Sequence, residues 1–259
     1  MTGLQGAIAG DVIGSIYELH PIKSKEFPLF APRCCFTDDT VLTVAVADTL
    51  LQEGDYAEQF RTYYRRYPHA GYGGGFHRWA RSPEAGAYFS FGNGSAMRAS
   101  PIGFAFPDLP HVRSEARRSA EVTHNHPEGI KGAEATAAAV FLARTGELKH
   151  QIRSYLEQQF GYDLSRTPDQ IRPDYTFDVT CQGTVPAALC CFLSGSSYED
   201  TVRHAISLGG DSDTLACIAG GVAGAFWGVP GWIWSEAEQR LDDHLRGVIV
   251  RFARRFGMA

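Results

Sequence analysis

The chain has 259 residues, with 24 basic against 29 acidic side chains and a net charge of −5. Hydrophobic residues at 44% and charged residues at 20% are the composition of a folded globular protein, which excludes a disordered tail, a collagen-like chain and a disulfide-dense miniprotein. The mild acidity argues against a dedicated nucleic-acid-backbone binder, whose affinity would come from clustered Lys and Arg.

In chain order, residues 3–18 predict the first helix, in which Gly6, Gly10 and Gly14 form a small-residue stripe for close helix contact. Residues 38–52 predict a helix with a wide apolar face opposite Thr43 and Asp48. Helices follow over 114–126 and 129–145, the second Ala-rich and of high helix propensity. Further helices are predicted over 148–160, 184–194 and 198–208. The middle one opens Thr184-Val185-Pro186, a cap with proline inside the first turn. Residues 213–227 are small and apolar all round, the pattern of full burial. An amphipathic helix over 235–256 closes the chain. Strand-like alternation is nearly absent, and 174–180 is too short to decide. The expected fold class is all-α, a compact multi-helix arrangement.

Two irregular stretches interrupt the helices, at 69–95 and 161–183. The first is rich in glycine and aromatics, and a long loop of that kind is more often functional than filler. With no linker, repeat or low-complexity run, a single domain over 1–259 is the economical reading. The six cysteines are Cys34, Cys35, Cys181, Cys190, Cys191 and Cys217. None has a C-x-x-C spacing, so neither a disulfide framework nor a zinc site is expected. Met1 to Glu18 lacks a basic n-region and carries Asp11 in its middle. Neither a signal peptide nor a membrane span is expected there, and a reduced cytoplasmic home is the default.

The chemistry concentrates in two acidic clusters. Phe36-Thr37-Asp38-Asp39-Thr40 precedes one helix, and Gly209-Gly210-Asp211-Ser212-Asp213-Thr214 precedes the apolar one. Helix capping alone would account for one such residue in each. Each cluster instead supplies two carboxylates and a hydroxyl. Carboxylates crowded beside a core segment repel one another and cost desolvation unless a cation neutralises them. Oxygen-only ligands select a hard ion such as Mg²⁺ or Mn²⁺, and four carboxylates can hold two ions roughly 3.5–4 Å apart. Glu18 stands at the negative end of the first helix, either as a surface glutamate or as a ligand or general base beside that cluster. Asp11 either supports the cluster or rests on a solvated helix face.

The run GAIAGDVIGSIYE, then FTDDT, SFGNGSAMR, VTHNHPEGIKGAEA and GGDSDTLACIAGG resembles the ADP-ribosylglycohydrolases. The motifs span residues 3 to about 227, nearly the whole chain. The resemblance implies a compact all-α fold with a dinuclear Mg²⁺ or Mn²⁺ site at the bottom of a cleft. It implies hydrolysis of the bond between C1″ of ADP-ribose and a modified side chain, so the expected partner is an ADP-ribosylated substrate, most simply a protein, met by a monomer. Thr37, Asp38 and Asp39 then match one ligand group, and Asp211, Asp213 and Thr214 the other. Glu18 falls on the family's mobile glutamate, and either Glu18 or Asp39 activates water or protonates the leaving group. Gly73, Gly74 and Gly75 resemble the loop that meets the diphosphate. Ser90, Phe91, Gly92 and Asn93 resemble the segment lining the distal ribose and adenine, and His124 the substrate-side histidine. Relatives that cleave serine-linked ADP-ribose often carry Tyr where Phe91 stands, which keeps stacking and puts one polar contact in doubt.

The residues themselves leave alternatives. Gly73 to Gly75 permit positive φ and close approach of N–H groups to phosphate, or form a plain flexible turn. Phe91 serves equally as a core aromatic. His124 and His126 on one helix would point to different faces, so a shared metal is not expected. Arg98 either contacts phosphate or pairs with a cluster carboxylate. Two other functions use the same acids: a metal-dependent phosphoesterase, and a non-catalytic relative that only binds.

Overall fold

A computed structural model describes residues 4–256 of the chain. Gly3, the first residue of the helix expected over 3–18, and both ends of the expected 1–259 domain lie outside the described residues. In chain order the helices begin α1 Leu4–Glu18, α2 Asp38–Gln52, α3 Tyr56–Arg66, α4 Gly74–Ala80 and α5 Gly94–Met97. They continue α6 Ser100–Ala105, α7 Leu109–Glu121, α8 Pro127–Arg144, α9 Lys149–Phe160 and α10 Pro168–Ile171. The last are α11 Cys181–Ser194, α12 Tyr198–Ser207, α13 Ser212–Trp227, α14 Gly231–Glu238 and α15 Asp243–Arg255. The fold is all-α. Among the described residues the sole sheet-like pairing is one isolated bridge, Gly92 with Thr180, which settles the undecided 174–180 segment as loop.

α13 is the axis of the core. Every residue from Ser212 to Ala223 is buried, so a helix apolar all round finds neighbours on every side. Its buried Leu215, Ile218 and Val222 each contribute about 1.5–3 kcal/mol of apolar burial. α1 lies against it through the expected glycine stripe. A Cβ on Gly6 would stand 2.3 Å from the Gly220 carbonyl oxygen, and one on Gly14 2.5 Å from that of Ser212. Only bare backbone lets these two helices approach so closely, and the approach carries Asp11 and Glu18 of α1 to the N-terminal end of α13.

Several helices differ from the sequence expectation. α7 begins five residues before 114, because Asp108 caps it by accepting from the His111 N–H at 2.9 Å, and it ends at Glu121 rather than 126. α11 begins at Cys181, where Thr180 accepts from the Gly183 N–H at 3.1 Å. Pro186 therefore lies inside the helix rather than in its first turn, and has no proton to give the carbonyl four residues back. The single helix expected over 235–256 divides into α14 and α15, with Asp242 accepting from the Leu245 N–H at 2.9 Å to start the second. α3 was not expected. Its signal is present: Asp55 caps it, and Tyr56, Phe60, Tyr63 and Tyr64 bury one face at helical spacing. α4 and α10 are short helices within the stretches read as irregular. All six cysteines are free, five of them buried. Among the described residues no helix is long and apolar enough to cross a membrane.

Candidate active site

The N-terminal ends of α2 and α13 meet the C-terminal end of α1 at the floor of a cleft of about 320 Å³. The meeting follows from local chemistry. Asp11 is fully buried and accepts four hydrogen bonds from the start of α2. The Thr37 N–H donates at 3.0 Å and its hydroxyl at 2.7 Å; the Thr40 N–H donates at 3.0 Å, and the Thr40 hydroxyl donates as well. This overturns the reading of Asp11 as a solvated face: it binds α1 to α2. Glu18 follows seven residues later on the same face of α1, half-buried in the cleft.

The structure brings the two acidic clusters together. The Thr214 hydroxyl donates to Asp39 Oδ2 at 3.2 Å, joining the start of α13 to the start of α2. One oxygen each from Asp11, Asp39 and Asp213 lies within 4.8 Å of the others, and the same holds for Glu18, Asp211 and Asp213. Asp213 belongs to both groups. Thr37 caps α2, its hydroxyl accepting from the Asp39 N–H at 3.2 Å. Asp211, by contrast, occupies the cap position of α13 without capping it. Its Oδ2 accepts instead from the Asn93 amide at 2.7 Å. Asp38 stands apart from both groups, beside the positive-φ Gly71, where a Cβ would come 3.3 Å from its Oδ1.

Electrostatics make this arrangement costly as it stands. Burial, then the charges of Asp11 and Asp38, holds Asp39 well above the usual carboxylate range. Burial, then Asp39 and Asp211, does the same to Asp213. Burial, Asp11 and Asp211 push Asp38 up to about 8. Glu18 is raised by burial and by Asp211. Asp39 Oδ1 is buried with no hydrogen-bond donor among the described residues. Crowded oxygens, raised acids and an orphaned carboxylate oxygen fit a hard divalent cation.

The ligand side of the cleft is built by the glycine-aromatic stretch. Gly73 is the N-cap of α4, and Gly74 and Gly75 form its first turn. None has positive φ; the residue that does is Gly71, at φ +105°, so the conformational reading of 73–75 is corrected. Gly75 is needed for space, since a Cβ there would meet the Tyr88 ring at 2.9 Å. Ser90 Oγ accepts from the Gly92 N–H at 3.1 Å, which turns the chain at Phe91. Phe91 is 45% exposed, not a core aromatic. Phe89, 59% exposed and missed from the sequence, flanks His126 with it: the two rings lie 4.7 and 5.3 Å from the imidazole. Asn93 turns its amide to Asp211 and Thr184 rather than toward the aromatic rim.

Arg98 lines the cleft without pairing with a cluster carboxylate among the described residues, and its Nε and Nη1 are buried without a partner there. It is fully buried, and its Nη2 donates to the Ser119 carbonyl at 3.0 Å and Thr123 Oγ1 at 2.9 Å. The guanidinium lies 4.2 Å over the Phe60 ring, its hydrogen-bond partners among the described residues being neutral. Because α7 ends at Glu121, His124 lies between helices and His126 is the N-cap of α8, so the two do not share a helix. His124 lines the cleft and His126 accepts from the Glu128 N–H at 3.1 Å, which leaves them in separate roles.

Known proteins share this architecture. A family model described as ADP-ribosylglycohydrolase matches residues 1–258. ADP-ribosylhydrolase ARH3 of Bos taurus is 28% identical over 87% of this chain and 84% of its own length. ADP-ribosylarginine hydrolase Tri1 of Pseudomonas putida (strain GB-1) is 28% identical over 93% of this chain and 76% of its own. A solved structure titled "ADP-ribosylglycohydrolase-related protein complex" superposes with a TM-score of 0.74 at 25% identity, covering 98% of this chain and 97% of that one. With its fold, its motifs and almost its whole length in agreement, this chain belongs to the ADP-ribosylglycohydrolase family of enzymes.

Proposed function

We propose that the chain hydrolyses the C1″ glycosidic bond of ADP-ribose attached to a protein side chain, arginine- or serine-linked, using two Mg²⁺ or Mn²⁺ ions. The observation that carries this reading is the pair of carboxylate groups sharing Asp213 on the floor of the cleft. Asp39, Asp211, Asp213 and Glu18 would hold the ions, with Thr37, Asp38 and Thr214 as neighbouring oxygen donors. Asp11, its oxygens already engaged by Thr37 and Thr40, steadies them from behind. Bound there, the ions supply positive charge to substrate hydroxyls and make a water more acidic.

The remaining work falls to side chains. Glu18, half-buried and raised by its surroundings, is suited to take a proton from water or to give one to the leaving group. Asp39 is the second carboxylate available for that exchange. The acid cluster stabilises the oxocarbenium-like charge that develops at C1″. The first turn of α4, which no side chain caps, offers backbone N–H groups of the Gly73–Gly75 segment to the diphosphate. Phe91 offers a stacking face to adenine beside Ser90 and Gly92.

The test is a product assay. ADP-ribosyl-arginine and ADP-ribosyl-serine peptides are incubated with the protein in Mg²⁺ or Mn²⁺. Free ADP-ribose from either peptide supports the reading, and the peptide cleaved faster identifies the linkage. AMP would instead mark a phosphoesterase, and no product a non-catalytic binder; either overturns it.

A further inference from the structure

The buried arginine beneath the cleft has no carboxylate partner among the described residues, and its hydrogen bonds lead to His124. Arg98 can only donate, so Thr123 Oγ1 accepts in their 2.9 Å contact. Thr123 is fully buried, and its hydroxyl has one other polar neighbour among the described residues, His124 Nδ1 at 2.7 Å. If Nδ1 carried a proton, the Thr123 hydroxyl hydrogen would be buried without an acceptor, a loss the alternative avoids. The hydroxyl therefore donates to Nδ1. Burial, together with the Arg98 charge, holds the ring well below the usual histidine range, so it is neutral. A neutral ring that accepts at Nδ1 carries its proton on Nε2.

We propose that Arg98, acting through the Thr123 hydroxyl, is a positioning residue that locks His124 as its Nε2–H tautomer, so that the cleft meets a hydrogen-bond donor there. His124 is among the residues that line the cleft. Nε2 faces the 92–94 turn, where a Cβ on Gly94 would come within 3.3 Å of it and one on Gly92 within 3.6 Å. Glycine at both positions keeps a Cβ atom away from the ring nitrogen. Arginine rather than a neutral group fixes the direction of the relay, since a guanidinium cannot reverse to become an acceptor. Its second Nη2 proton is held by the Ser119 carbonyl at 3.0 Å, and stacking on Phe60 orients the plane. The matching ligand group is an oxygen acceptor, on a phosphate or on a ribose. This inference rests on the ADP-ribose reading of the cleft for the ligand's identity, but not for the tautomer.

The experiment reads the tautomer directly in free protein labelled with ¹⁵N-histidine. Long-range ¹H–¹⁵N correlation spectra distinguish the two neutral forms, with the His124 signals assigned by their loss in His124→Asn. Wild type and Thr123→Ser should show Nε2–H. Arg98→Met should shift toward Nδ1–H, because the Thr123 hydroxyl is then free to accept from the ring. Thr123→Val, which leaves Nδ1 without a partner and the ring free to turn, should lose roughly tenfold in ADP-ribose affinity, the scale of one hydrogen bond, with Thr123→Ser restoring it. A parallel loss with ADP places the acceptor on the shared nucleotide part, and a loss with ADP-ribose alone places it on the proximal ribose; both support the relay. An Nδ1–H ring or an imidazolium in wild type overturns it, even if neither disruptive variant folds. So does a folded Arg98→Met that keeps the Nε2–H tautomer, or a folded Thr123→Val that keeps its affinity. Because the spectra need no substrate, failure of the proposed activity leaves this result readable.

Discussion

Gly10 lies against the backbone of Ala216 so closely that a Cβ on it would stand 2.1 Å from the Ala216 carbonyl oxygen. The contact sits one residue from Asp11 and midway along the seam between α1 and α13. Because the obstacle is backbone on both sides, no side-chain movement relieves it. Gly10→Ala should separate the helices and lower stability by about 1–3 kcal/mol, the usual scale of overpacking. Thermal melting would show it as a clear fall in Tm, with Gly54→Ala, where a Cβ meets only Gln52 at 3.9 Å, as the control that should not fall. Activity should drop as well, since α1 carries both Asp11 and Glu18.

Glu18 is expected to matter for turnover more than for binding. Glu18→Gln keeps the shape and removes the proton exchange, so kcat should fall by on the order of 10²-fold. ADP-ribose affinity, followed by calorimetry, should change little. A near-normal kcat would reduce Glu18 to a bystander at the helix end.

Asp213 belongs to both carboxylate groups, so its removal should act oppositely with and without metal. In chelator, Asp213→Asn should melt above wild type, because one buried repulsive charge has gone. In millimolar Mg²⁺ the order should reverse, since binding confined to the folded state stabilises by about 2.7 kcal/mol at a hundredfold excess over Kd. Melting curves for both proteins in both buffers make the comparison. If the two respond alike to Mg²⁺, Asp213 is not a ligand.

The raised acids also set a pH dependence. In the metal-free fold Asp38, Asp39 and Asp213 bind protons more tightly than in the unfolded chain. Their contribution is therefore greatest at low pH and is lost as pH rises from the unfolded value, about 3.9, through the folded values, about 8 for Asp38. Divalent metal competes with those protons. The gain in Tm on adding Mg²⁺ should accordingly be small near pH 5 and large near pH 8. A gain that shrinks with rising pH would contradict the carboxylate assignment.

Much of this was legible in the sequence because it is written in local pattern. The stripe Gly6, Gly10, Gly14 announced a close helix contact, though not that α13 is its partner, and the apolar run after Asp213 announced the burial of α13. The acids of both clusters stood out because they exceed what capping requires. Asp11 was ambiguous because its four donors come from Thr37 and Thr40, more than twenty-five residues away, and only the folded chain shows them. The role of Arg98 was hidden for the same reason: its partners lie on α7 and the turn after it. α3 was missed although its aromatic face follows helical spacing, because Tyr and Arg dilute the apolar signal. The division between α14 and α15 carries no glycine or proline and is marked by Asp242 alone.

In the proposed function the acid cluster binds two divalent cations on which hydrolysis depends. Titration of Mn²⁺ into metal-free protein, with free ADP-ribose release from an ADP-ribosylated peptide measured at each addition, tests it directly. Wild type should bind two equivalents and gain full activity only as the second binds, while Asp213→Asn should bind fewer and stay inactive. Full hydrolysis in excess chelator, or no saturable Mn²⁺ binding by wild type, would contradict it.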